Sequence, residues 1–174
     1  MQITQEQKER LMREALAEAK QGMDEGEVPI GCVLALGGEP RIVARGHNQV
    51  NALGRKTAHA EMVTFENAGS HNGEPPTLPL DAENVILVST LEPCVMCLGA
   101  AMEGSVALVL FGLNAPADSG TQRVRPPESP ESSPPAIEGS ILAAESRALF
   151  EAWLQTNKGT EQAKFVEQLL ALTE

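Results

Sequence analysis

The stretch Val85-Ile86-Leu87-Val88-Ser89-Thr90-Leu91-Glu92-Pro93-Cys94-Val95-Met96-Cys97-Leu98-Gly99-Ala100-Ala101-Met102, followed by Gly104 and then Val106-Ala107-Leu108-Val109-Leu110-Phe111, decides the fold. Val85 to Val88 is an unbroken apolar run of strand length, the pattern of a strand buried on both faces. Pro93 suits the first position of a helix, which runs to Met102 and stops at Gly104. Val106 to Phe111 is a second buried strand. A strand, a helix and a strand in about 27 residues set an α/β architecture.

The same reading extends outward in both directions. Thr4-Gln5-Glu6-Gln7 is a capping box that opens a helix, and Leu11, Met12, Ala15, Leu16, Ala19 and Met23 recur at helical spacing until Gly22 or Gly26. Pro29 to Leu36 and Arg41 to Arg45 are strands joined by the turn Gly37-Gly38-Glu39-Pro40, a hairpin. Thr57 caps a helix from Ala58 to Asn67 with Gly69 as its stop, and Ser70 to Ala82 is a loop. Ser140 caps a helix through Gln155, and Thr160 caps a last one containing Val166, Leu169 and Leu170. Residues 115–135 hold six of the twelve prolines (116, 126, 127, 130, 134 and 135). That density suits an extended loop, a lid or a partly disordered segment, and excludes a sheet or helix interior. The expectation is one α/β domain over 1–174, with this proline-rich loop and a C-terminal helical extension over 140–173.

Composition bounds the function. The 174 residues are 42% hydrophobic and 21% charged, enough apolar material for a core, and no run approaches the length of a membrane span. The amino terminus lacks a basic-then-apolar signal pattern, so a cytoplasmic protein is expected. The formal net charge is −11. Residues 1–57 are neutral overall, while 58–125 carry −6 and 126–174 carry −5. Basic residues thin out after Lys56, with Arg123 and Arg125 the one close pair beyond it. Tight nucleic-acid binding needs clustered cations, so a polyanionic partner is not expected.

Three cysteines, Cys32, Cys94 and Cys97, are too few and too odd for a disulfide framework. Cys94 and Cys97, three apart in a first helical turn, share a side and can reach one ion. By itself such a pair also suits a redox couple, or a closed structural site with Cys32 as an added ligand, although Cys32 sits in an apolar strand and reads as core. His59-Ala60-Glu61 supplies the other half. Side chains two apart diverge by about 200° on an ideal helix, so His59 and Glu61 converge only around an ion lying off the helix start. His59, Cys94 and Cys97 then give three ligands and leave a fourth position for water, the mark of a catalytic rather than a structural zinc. Glu61 is the proton carrier beside it.

These segments fit the zinc-deaminase pattern H-x-E…P-C-x-x-C. From about Arg13 to Gly112 the sequence resembles the cytidine/deoxycytidylate deaminase superfamily. Glu27-Val28-Pro29-Ile30-Gly31 and Thr90 to Cys97 are similar to tRNA adenosine deaminases. Val28 to Gly31, Arg45-Gly46-His47-Asn48 and Glu66-Asn67-Ala68-Gly69 are similar to fungal-type cytosine deaminases. Glu92-Pro93-Cys94 and Cys97-Leu98-Gly99-Ala100 are similar to guanine deaminases. The resemblance implies a three-layer α/β/α fold with a five-stranded mixed sheet, one zinc per chain, a homodimer, and hydrolytic release of ammonia from a nucleobase or nucleoside. It implies Glu61 as the catalytic acid/base, Asn48 as a hydrogen-bonding partner of the base, the Ala60 N–H and the Glu92 carbonyl beside the base, and Ile30 on its face. Arg55-Lys56 stands where adenosine-editing relatives carry Asp-Pro. With the acidic charge, that makes free cytosine the first expected substrate and guanine or tRNA adenosine the alternatives. A zinc-stabilised scaffold without activity is the non-enzymatic alternative. His47 and His71 read as solvated loop histidines, and Trp153 as core.

Overall fold

The computed structural model describes residues 2–126, 128 and 132–173. Its sheet has five strands: β1 (Gly31–Leu36), β2 (Arg41–His47), β3 (Val85–Leu91), β4 (Val106–Leu113) and β5 (Ala136–Glu138), in the order β2-β1-β3-β4-β5. β1 pairs antiparallel with β2 and β3, and β3, β4 and β5 run parallel, so the sheet is mixed as expected.

Side chains along the strands alternate between two cores, as the period of two requires. Cys32, Leu34, Val85, Leu87 and Val109 face α3 (Ala60–Ala68) and α4 (Val95–Glu103). Val33, Ala35, Ile86, Val88, Leu108 and Leu110 face α1 (Gln5–Asp24), which buries Leu11, Met12 and Ala15 against them. α5 (Ala143–Asn157) packs beside α1 on that face, against β4. Helices therefore cover both faces, the three-layer arrangement the sequence implies. α1 starts on the expected capping box: Thr4 Oγ1 accepts from the Gln7 N–H at 3.2 Å, and Gln7 Oε1 accepts from the Thr4 N–H at 2.7 Å. Such a cap is worth about 1 kcal/mol.

A third cluster lies past the carboxyl ends of β3 and β4. There Leu91 and Leu113 meet Phe150 and Trp153 of α5 and Ala163, Val166 and Leu169 of α6 (Glu161–Leu172). Trp153 is core, 2% exposed. This cluster brings the end of the chain to the edge where ligands bind in parallel α/β sheets.

Several expectations shift. The helix assigned to Ala58–Asn67 starts two residues later, because His59 is its N-cap with φ −67° and ψ 155°. The helix assigned from Pro93 starts at Val95, with Cys94 as its extended N-cap. A four-residue helix, α2 (Val50–Leu53), lies where no helix was expected; it is too short to show a period. Ser140 does not cap α5. Ser140 and Leu142 take left-handed conformations (φ 64° and 50°) that drop Ile141 into the core before the helix begins. The fifth strand is β5, just after Pro135, too short to show alternation. Of the proline-rich segment, residues 127 and 129–131, with Pro127 and Pro130, lie outside the described residues.

His47 is not a solvated loop histidine. It ends β2 at 5% exposure, packs on Gly22 of α1 and places Nε2 3.0 Å from Glu25 Oε2. The adjacent glycines serve packing as well. A Cβ on Gly31 would overlap the backbone of Ala15 and Ala19, and one on Gly46 would come within 2.7 Å of Thr64 Oγ1. His71 is exposed, as expected.

Candidate active site

Each of the metal-ligand candidates stands at a helix start. His59 caps α3, Cys94 caps α4, and Cys97 lies in the first turn of α4. Their extended caps swing His59 and Cys94 off the helical spirals, which is why residues two and three apart converge. His59 Nδ1 lies 3.5 Å from Cys94 Sγ and 3.6 Å from Cys97 Sγ, and the two sulfurs are 3.6 Å apart. In a tetrahedral zinc shell a nitrogen at about 2.0 Å and sulfurs at about 2.3 Å would stand about 3.5–3.8 Å apart. The triangle therefore fits zinc.

The chemistry of the donors agrees. The Cys94 thiol is drawn down to about 4, first by the Cys97 thiol that hydrogen-bonds to it and then by His59. Cys97 is pushed far up, by the Cys94 thiolate and by burial. Two thiols in contact hold one negative charge between them until a cation lets both ionise. Cys32 stays apart from this group, fully buried in β1, and its thiol is raised by burial. The described residues thus bring together three protein donors, not four.

Glu61 sits in the first turn of α3, 4% exposed, and Ser89 Oγ on β3 donates to its Oε1 at 3.1 Å. Burial raises its carboxyl above the ordinary range, partly offset by its own backbone N–H and by His59. A cavity of about 230 Å³ opens above the donors. Ile30, Asn48, His59, Glu61, Glu92 and Cys94 line it together with Val28, Val50 and Leu91. Ala60 and Cys97 are fully buried and are not among its lining residues. Ala60 is the first residue of α3, so its N–H has no acceptor within the helix.

The structure adds residues the sequence did not single out. Gln162 and Phe165 of α6 form the outer wall of the cavity, and Asp118 stands at its rim. Burial raises the Asp118 carboxyl, with the Cys94 thiolate adding to it. The loop carrying Asp118 is held by Glu92, whose carboxylate accepts from the Ala115 N–H at 2.9 Å and from the hydroxyls of Ser119 and Thr121. Gly120 lets this loop press on α4: its N–H donates to the Pro93 carbonyl at 2.9 Å, and a Cβ there would meet the Cys94 carbonyl oxygen at 2.5 Å. Glu27, 1% exposed, accepts from Asn48 Nδ2 at 3.0 Å. A period search does not reveal such residues, because their partners are remote in sequence.

Residues 5–113 match the family described as the cytidine and deoxycytidylate deaminase zinc-binding region. The chain belongs to this deaminase family. It is 45% identical over 106 residues to the tRNA-specific adenosine deaminase of Bacillus subtilis, a match spanning 61% of this chain and 62% of that relative. It is 30% identical over 172 residues to the tRNA-specific adenosine deaminase of Streptococcus pyogenes serotype M1, covering 98% and 95% of the two chains. A solved structure of a tRNA:A34 deaminase superposes with a TM-score of 0.65 at 28% identity, over 80% of this chain and 98% of that one. A guanine deaminase from Nitrosomonas europaea shares the fold, with a TM-score of 0.63 at 19% identity and 83% of each chain covered. Zinc is the metal of this family, and the donor triangle suits one ion per chain. Among the described residues, no helix is long and apolar enough to cross a membrane.

Proposed function

We propose that this chain is a zinc-dependent hydrolytic deaminase of an aminopurine, with adenosine in tRNA as its substrate. The observation that carries the reading is the end-to-end similarity to a tRNA-specific adenosine deaminase, 98% of this chain on 95% of that one, which includes the C-terminal helices. Cavity size is compatible with it. About 230 Å³ leaves room for a single base, which a flipped nucleotide requires and a free base fits as well.

His59, Cys94 and Cys97 would hold the zinc ion, which would lower the pKa of a water and so supply the nucleophile. Glu61 carries the two protons of that water in turn, the first to the ring nitrogen and the second to the amine that leaves as ammonia, and Ser89 fixes the carboxylate that does so. Asn48 hydrogen-bonds the base, the Ala60 N–H and the Glu92 carbonyl flank it, and Ile30 packs on its face.

Free cytosine is no longer the first substrate. The segments shared with cytosine deaminases do not single out that base: Gly31 and Gly46 seat helices on the sheet and His47 is buried under α1, and of the residues that line the cavity Val28 and Ile30 belong equally to the segment shared with tRNA adenosine deaminases. A second reading, a free purine base such as guanine, is favoured by the net charge of −11 and by Asp118 at the rim, both of which repel a polyphosphate. Ammonia release from an anticodon stem-loop RNA, from adenosine and from the free bases decides between them. The stem-loop is expected to have the highest kcat/KM. Preferential turnover of guanine, or of any free base, would replace this reading with the second.

A further inference from the structure

Glu27 is a buried carboxylate beside the cavity to which neither the metal nor the proton transfer assigns a task. It is 1% exposed, yet ringed by donors: Asn48 Nδ2 at 3.0 Å and the Asn51 N–H at 3.2 Å reach Oε2, and the Ala52 N–H reaches Oε1 at 2.7 Å. Its own N–H donates to the Gly22 carbonyl of α1 at 2.9 Å, just after Gly26 turns the chain with φ +90°. Burying a charge is costly unless hydrogen bonds replace its water, and here three do. The arrangement is more than packing requires, since an apolar residue would fill the same space.

We propose that Glu27 is a positioning residue that fixes the polarity of the edge with which Asn48 meets the substrate. An ionised carboxylate accepts and cannot donate. Asn48 must therefore turn its Nδ2 toward Glu27, and its backbone is pinned as well, its N–H donating to the Ile30 carbonyl at 2.9 Å. Among the described residues Oδ1 of Asn48 accepts no hydrogen bond, and Asn48 lines the cavity. The amide thus offers the substrate an oxygen in a set place, which pairs with an N–H or O–H of the substrate. Without the carboxylate, the amide is free to flip and offer the wrong group.

The same carboxylate ties this edge to the cavity wall. By holding the Asn51 and Ala52 amides it sets α2, whose Asn51 side chain exchanges two 3.1 Å hydrogen bonds with Gln162 of α6. One buried anion therefore orients the base-reading amide and the segment that latches α6.

This inference rests on Asn48 touching the substrate, so the experiment includes a test of that contact. Ammonia release from the anticodon stem-loop, with guanine as a second arm, is measured for Glu27→Gln, Asn48→Ala and the double variant Glu27→Gln/Asn48→Asp, with zinc content and thermal unfolding recorded for each. Glu27→Gln is expected to raise KM by about 10–100-fold, the worth of a hydrogen bond to a charged group, with kcat within about threefold and one zinc retained. In the double variant the amide introduced at position 27 donates to the carboxylate introduced at position 48 while its oxygen keeps the Ala52 N–H. The bond from the Asn51 N–H is lost in the single and the double variant alike, so their difference reads the contact with position 48. The second oxygen of the carboxylate at position 48 still faces the cavity, and KM is expected to return to within about fivefold of wild type. If Asn48→Ala raises KM but Glu27→Gln leaves it within twofold, the role of Glu27 is overturned and the base contact stands. If Asn48→Ala leaves KM unchanged, the base contact itself is wrong and the inference falls with it. Where Glu27→Gln alone does not fold, the double variant decides: recovery supports the role of Glu27, and a KM as high as that of Asn48→Ala overturns it.

Discussion

The donor triangle and the wall that faces it are built in opposite ways. His59, Cys94 and Cys97 come from two short segments, each at a helix start; the caps aim the side chains, and the packing of α3 beside α4 brings their ligand atoms within 3.6 Å of one another. Asp118, Gln162 and Phe165 arrive from a loop and a helix far along the chain, held by Glu92, by Asn51 and by the apolar cluster around Phe150 and Trp153. The first region dictates which bond is broken. The second decides what fits in front of it. Each half of the triangle is set by a local motif and the two halves meet once, whereas every part of the facing wall is brought in from a distance.

Substitutions in the two regions should separate these roles. Cys94→Ala has the largest effect: zinc content after dialysis falls to near zero and ammonia release is abolished, because one of the three protein ligands is gone. Zinc analysis on the purified variant checks this, and a fully loaded Cys94→Ala would remove Cys94 from the ligand set. Glu61→Gln comes next. It keeps about one zinc per chain while kcat falls by about 10²–10⁴-fold, the usual worth of a general acid/base; turnover near wild type would exclude Glu61 from proton transfer.

Phe165→Ala should act on binding instead. With zinc and kcat little changed, KM is expected to rise by about tenfold for a free base and by less for the stem-loop, which has contacts outside the cavity. An equal loss of kcat on both substrates would mean that α6 shapes the chemistry, and the contrast between the regions would break. Cys32→Ala is the mildest. Zinc content is unchanged and the unfolding free energy drops by about 1–2 kcal/mol for a small buried hydrophobe. Loss of metal in this variant would show that the third cysteine is a ligand.

Legibility in the sequence follows the same division. The capping box at Thr4, the hairpin, the strand–helix–strand over 85–111 and each half of the ligand set could be read, since each depends on neighbours within a few positions. That His59 meets Cys94 and Cys97 across 35 residues followed from the family resemblance. Even the start of α3 was constrained, as His59 and Glu61 can converge only off a helix end. What could not be read depends on distant partners. β5 is three residues long and gains its identity by pairing with β4. His47 looks like a turn residue until α1 covers it. Glu27 lies in a motif that reads as a family echo, and only the fold shows its carboxylate meeting Asn48 and α2. The acidic net charge and Arg55-Lys56, which made free cytosine the first expected substrate, say nothing of the cavity wall that Asp118, Gln162 and Phe165 complete, so the substrate could not be read from them.

The central claim is a metal site with three protein donors and one open corner. Zinc K-edge X-ray absorption on the zinc-loaded protein without substrate tests it most directly. The account predicts two sulfurs at about 2.3 Å and two nitrogen or oxygen neighbours at about 2.0 Å, of which one exchanges with added small anions. Three sulfurs in the shell, or four ligands that no anion displaces, would contradict it.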